Sequence, residues 1–202
     1  MSPRGGPVMG KGRVEAFSDG MFAIFITIMV LNMKAPGSAD LEALRPLWPV
    51  FLSYVLSFVH IGLYWNNHHH VFQAVERVDG AVLWANLHLL FWMSLVSFFT
   101  NWMGESTFST WPVVAYGVVL FMSAIAWDIE RRCLIRLHAP DSPLVKALGR
   151  NFKEWLSLVL YALGIGTAFV STWVACGLYC AVAAMWLVPD RRIEREIGVG
   201  KE

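Results

Sequence analysis

Arg13-Val14-Glu15-Ala16-Phe17-Ser18-Asp19-Gly20, running on through Phe22-Ala23-Ile24 and Thr27 to Met33, is the stretch from which the rest of the chain is read. A charged and polar head passes directly into an apolar run that stops before Pro36 and Gly37. A helix needs roughly 20 mostly apolar residues to cross the hydrocarbon core of a bilayer. The segment 16–33 is read as such a helix, with Asp19 about one turn inside it. The run lacks the small-residue cleavage site of a secretory signal, and its flank is distinctively polar, so a retained helix is expected.

Working outward, the apolar character continues along the whole chain. Of 202 residues, 56% are hydrophobic and only 15% charged, against about a quarter charged in a soluble domain. Five further spans are expected, at 47–71, 82–102, 111–128, 155–170 and 172–188. The last two divide an apolar stretch too long for one crossing, although no Pro or Gly marks the break. Trp48, Trp111, Trp127, Trp155, Trp173 and Trp186 fall near the proposed membrane edges. The polar segment 130–154 reads as a loop with some interfacial helix. The predicted fold is therefore all-α: one six-helix transmembrane domain over 1–202. Cys133, Cys176 and Cys180 give no disulfide framework, and the last two read as small buried hydrophobes.

Net charge is only +1, which points to neither nucleic acid nor an acidic substrate, but its distribution is informative. With six spans and the N-terminus inside, the inner segments hold Arg4, Lys11, Arg13, Arg77, Arg131, Arg132, Arg136, Lys146, Arg150, Lys153, Arg191, Arg192, Arg195 and Lys201. That is 14 of the 16 basic residues, leaving Lys34 and Arg45 outside. The excess of Lys and Arg in cytoplasmic segments then places both termini in the cytoplasm of a multi-pass cell-membrane protein.

Ionisable groups at membrane depth are costly and mark candidate sites. Asp19 needs partners, and the cytoplasmic ends of the second and third spans offer Trp65, Asn66, Asn67, His68, His69, His70, Asn86 and His88. A hydrogen-bonded and ionic knot locking the first three helices together is expected. Consecutive residues on a helix point about 100° apart, so the three histidines cannot all ligate one ion, and no metal site or cofactor is expected. Beyond Asp19, the residues Ile24, Ile28 and Leu31 recur as one stripe with Thr27 beside it. By spacing alone, this stripe fits a lipid-facing or core surface better than the wall of a pore.

The pattern Arg13-x-x-x-Phe17-Ser18-Asp19 at the head of the first helix resembles the signature of the transmembrane protein 175 family of potassium channels. Downstream, the Tyr-x-x-Ser-Phe run at 54–58, Trp65 with His68 and His69, and Asn86 are similar to further elements of that family. The resemblance is carried by residues 11–101; the remaining helices fit by length and topology.

What it implies is a potassium channel subunit of the single-repeat, prokaryotic type, four copies of which surround one pore. The first helix would line that pore, with Ile24 as hydrophobic seal, Thr27 as a hydroxyl layer one turn above it, and Ile28 and Leu31 continuing outward. Arg13, Phe17, Ser18, Asp19, Trp65, His68 and Asn86 would form the structural network at its cytoplasmic end. Ser97 departs from the expected pattern, where a Pro-Phe type element would end the third helix. Potassium and the lipid bilayer are the expected partners. The competing readings are a proton-permeable channel or a secondary transporter using Asp19 and histidines, and a membrane enzyme. The enzyme would need a nucleophile or convergent ligands, which the sequence does not offer.

Overall fold

The computed structural model describes residues 10–149 and 152–187. Among them the chain forms seven α-helices: α1 (Lys11–Leu31), α2 (Trp48–Ala74), α3 (Gly80–Glu105), α4 (Thr110–Leu137), α5 (Pro143–Leu148), α6 (Phe152–Thr167) and α7 (Thr172–Leu187). A 3-10 segment, Leu41–Leu47, leads into α2, and the described residues contain no strand. The class is all-α, but the helix count is seven, not the six expected. The additional helix is α5, within the polar 130–154 segment. Ser142 caps it by accepting from the Val145 amide at 3.3 Å, with Pro143 at its first position.

Length distinguishes the helices further. α1, α3, α4 and the unit Leu41–Ala74 are long and apolar enough to cross a bilayer. Helices α6 and α7 have 16 residues each, about 24 Å at 1.5 Å per residue against a core of about 30 Å. Four crossings are thus carried by length alone. Between α6 and α7 the chain turns at residues 168–171, where the amides of Val170 and Ser171 both donate to the Thr167 carbonyl, at 2.9 and 2.8 Å. That shared acceptor closes the helix without Pro or Gly.

Helix α4 runs to Leu137, well past the expected end at 128, because its charges are paired along the helix. Asp128 accepts from Arg131 at i+3 and Arg132 at i+4, each at 2.7 Å. Trp127 is consequently buried within the bundle instead of marking a membrane edge, whereas Trp48, Trp111, Trp155 and Trp173 are exposed. Helix α3 begins on Asp79, whose carboxylate accepts from the Val82 amide at 2.9 Å.

The helices pack as a front layer and a rear layer. Helix α1 packs on α2 and α3; α3 and α4 form the most extensive pair; α4, α6 and α7 close the rear. Between layers, Ser57 of α2 is hydrogen-bonded to Tyr116 of α4 at 2.9 Å and to Thr100 of α3 at 2.6 Å. In the rear layer, the wholly buried Tyr179 of α7 lies against Gly117 of α4 and Gly164 of α6, where a Cβ on either glycine would collide with its ring or hydroxyl.

Charge separates along the bundle. At one end Lys11 donates to the Gln73 carbonyl at 3.1 Å and Arg77 to the Leu137 carbonyl at 2.7 Å, beside the Asp128 pairs. Lys34 and Glu105 pair at 3.5 Å at the opposite end. Arg4, Arg150, Arg191, Arg192, Arg195, Lys201 and the expected span end at 188 lie outside the described residues.

Candidate functional site

Helix α1 has two faces. Val14, Ser18, Phe22, Phe25 and Met29, spaced three and four apart, are buried against α2 and α3. The opposite face is left open by the described residues: Ile24 is 50% exposed, Ile28 41% and Leu31 81%, with Thr27 exposed among them. The Thr27 hydroxyl donates back to its own helix, to the carbonyls of Ala23 at 3.1 Å and Ile24 at 3.0 Å. Its only proton is used there, so the oxygen offers lone pairs outward.

The buried face is fixed at its basic end by a directional chain of hydrogen bonds. His68 Nε2 lies 3.0 Å from Asn86 Oδ1, Asn86 Nδ2 donates to Ser18 Oγ at 3.0 Å, and Ser18 Oγ donates to the Val14 carbonyl at 2.8 Å. Since Asn86 Oδ1 is an acceptor, it holds the imidazole proton on Nε2. All three side chains are buried, and the chain joins α1, α2 and α3. The His68 ring stacks on Phe72, with centroids 4.2 Å apart.

Asp19 is anchored separately, its Oδ1 accepting from the Trp65 indole N–H at 2.9 Å. Arg13 and Phe17 lie apart from both groups. Arg13 is exposed, and its guanidinium makes no ion pair or hydrogen bond with the described residues; Phe17 is exposed one turn further along the same face. The physical reason is helical phase, since the 13–17 face is turned away from the one that carries Ser18 to α3.

The three consecutive histidines diverge. His68 turns inward to Asn86; His69 lies 3.5 Å from Glu15 and 2.8 Å from the Gln73 amide; His70 is partly buried, its ring 5.9 Å from that of His69.

One participant is absent from the sequence analysis, and another has a different role there. Glu130 of α4 is completely buried, 3.7 Å from His68 Nε2, and neither of its oxygens has a hydrogen-bond partner among the described residues. Its neighbours Arg131 and Arg132 make it look like part of a solvated run, and no periodic signal separates it from them. Ser97 stands within α3, which continues to Glu105, and donates to the Phe25 carbonyl of α1 at 3.0 Å. The departure at 97 is thus a second tie to α1 and not a helix end.

Comparison with known proteins gives a consistent result. Residues 13–96 match the family described as endosomal/lysosomal potassium channel TMEM175. The chain is 51% identical to a potassium channel of Chryseobacterium sp. (strain P1-3), over 94% of this chain and 98% of that one. It is 38% identical to a potassium channel of Streptomyces collinus, over 80% and 84%. Among solved structures, it is similar to a lysosomal potassium-selective channel TMEM175 homolog from Chamaesiphon minutus, with a TM-score of 0.75 and 31% identity over 88% of this chain and 96% of that one.

Proposed function

The chain belongs to the endosomal/lysosomal potassium channel TMEM175 family, and from that premise we propose that it is one subunit of a potassium-selective channel carrying passive flux across a cell membrane. The observation that carries the reading is the face of α1 that holds Ile24, Thr27, Ile28 and Leu31, which no other helix among the described residues covers. One such helix encloses nothing. Four copies around an axis would bring four of these faces together, giving a homotetramer with α1 as its inner wall.

In that assembly the Ile24 side chains form a hydrophobic constriction. An apolar ring stops ions by dewetting, because an ion there loses water that no polar group replaces. Widening the ring lets partly hydrated potassium pass, and the outward lone pairs of Thr27 then supply transient ligation. The buried chain through Ser18, Asn86 and His68 holds the frame against which α1 moves. Six crossings, with α6 and α7 as the last two and both termini cytoplasmic, fit the 14 of 16 basic residues assigned inside.

A transporter or proton path using Asp19 and histidines would need ionisable groups through the membrane. Along α1 there is none between Asp19 and Lys34, and Asp19 and His69 both lie at the basic end. The deciding experiment is potassium flux into liposomes holding the purified protein, with sodium and proton gradients as controls. Potassium-preferring flux without proton coupling is expected; flux that requires a proton gradient would refute the channel reading.

A further inference from the structure

A second group of side chains converges between α1 and α2 at the basic end, apart from the buried chain through Ser18. Glu15 and Asp19 stand one turn apart on α1, and His69 of α2 faces them. One ligand-type atom from each, a carboxylate oxygen from either acid and an imidazole nitrogen, lies within 4.8 Å of the other two. His69 Nδ1 is 3.5 Å from Glu15 Oε1, is shielded from solvent, and has no hydrogen-bond partner among the described residues. All three residues are partly buried.

The outer atoms of two of these groups are already held in place. Asp19 Oδ1 accepts from the Trp65 indole at 2.9 Å, leaving Oδ2 unclaimed. The Gln73 amide sits 2.8 Å from His69 Nε2, and the Trp65 ring stacks on the imidazole at 5.7 Å and 21°. The atom at that distance is the Gln73 amide nitrogen, which donates to Nε2 and leaves the imidazole proton on Nδ1, so a cation bound at Nδ1 would displace that proton. Partners of this kind behind each ligand are what orient the first ligands of metal sites.

We propose that Glu15, Asp19 and His69 bind a divalent first-row transition cation of the zinc type, cross-linking α1 to α2. Consecutive histidines cannot share an ion, but His69 alone, placed opposite two carboxylates, can. The imidazole nitrogen favours a transition metal over magnesium or calcium, which prefer all-oxygen sites. At bonds of about 2.0–2.1 Å, ligand atoms around a tetrahedral ion are roughly 3.4 Å apart. The Glu15–His69 separation of 3.5 Å is already close to that value, and Asp19 offers a carboxylate oxygen within 4.8 Å of both. Water takes the fourth position. An ion pair between His69 and Glu15 would account for their distance, but not for Asp19 converging on the same point.

The test is binding to the full chain in lipid nanodiscs, independent of whether it conducts ions. Zn2+ titration by calorimetry is expected to give one saturable site per chain that millimolar Mg2+ does not displace. Co2+ is expected to give the visible absorption of a four-coordinate nitrogen–oxygen site. Glu15→Gln and His69→Gln should each weaken Zn2+ binding at least tenfold, and Gln73→Ala about tenfold or more through the loss of an outer partner. Unchanged elution and thermal unfolding identify variants that remain folded. Absence of saturable Zn2+ binding in the parent protein, an octahedral Co2+ spectrum that Mg2+ abolishes, or binding indifferent to both folded ligand variants would overturn the assignment.

Discussion

Asn86 donates to Ser18 across 3.0 Å while its carbonyl faces His68 at the same distance. One carboxamide thereby partners a hydroxyl on α1 and the Nε2 of an imidazole on α2. Leaving buried partners unsatisfied costs about 1–3 kcal/mol each. Asn86→Ala should destabilise the protein by several kcal/mol, whereas Ser18→Ala, which removes one member only, should cost about 1–3 kcal/mol. Denaturant or thermal unfolding in a fixed detergent separates the two. Equal losses would mean that the bonds do not act as a chain.

Ile24 is the position at which the proposed constriction should respond most. Ile24→Ala or Ile24→Asn widens or wets the ring, so basal flux should rise, sodium leak included. Liposome flux at matched protein content measures this. Flux equal to that of the parent protein would remove Ile24 from the gate.

Thr27 gives a different signature. Thr27→Val keeps the shape and removes the outward lone pairs, so potassium-over-sodium preference should fall several-fold while the closed state remains tight. Reversal potentials in mixed potassium and sodium report the ratio. An unchanged ratio would assign selectivity elsewhere.

In the rear layer, Gly164→Val places a branched side chain where the Tyr179 ring lies. Overpacking of this kind costs about 1–3 kcal/mol. Unfolding measurements should register that loss, and pairing the change with Tyr179→Leu should recover part of it. A double variant no better than the single one would show that the ring is not what Gly164 makes room for.

Much of this was readable in the sequence because membrane helices announce themselves by composition. Asp19 was marked by its cost inside an apolar run, Ser18 by the motif it shares with Asp19, and Trp65, His68 and Asn86 by their placement at similar depth. What stayed hidden depends on which helices are neighbours in space. Glu130 looks like one charge among several until α4 turns it toward His68. Ser97 looks like a missing helix breaker until α3 lies beside Phe25. Arg13 and Phe17 belong to the family's sequence pattern yet stand apart from the buried network, since motif spacing does not say which face of α1 meets α3. The seventh helix, α5, falls where the 130–154 segment was expected to carry some interfacial helix, but its six residues are too few to set up a periodicity that would give its bounds.

Tyr179 occupies a notch cut jointly from α4 and α6, with its hydroxyl 3.3 Å from the Val113 carbonyl. A key that fits two wards at once allows neither to slide past the other. Helices α4, α6 and α7 would therefore travel as one casting, leaving shear to the seams around α1, which packs mainly on α2 and α3. Under the proposed channel reading, opening would then be a displacement of the inner staves within a rear frame that keeps its shape.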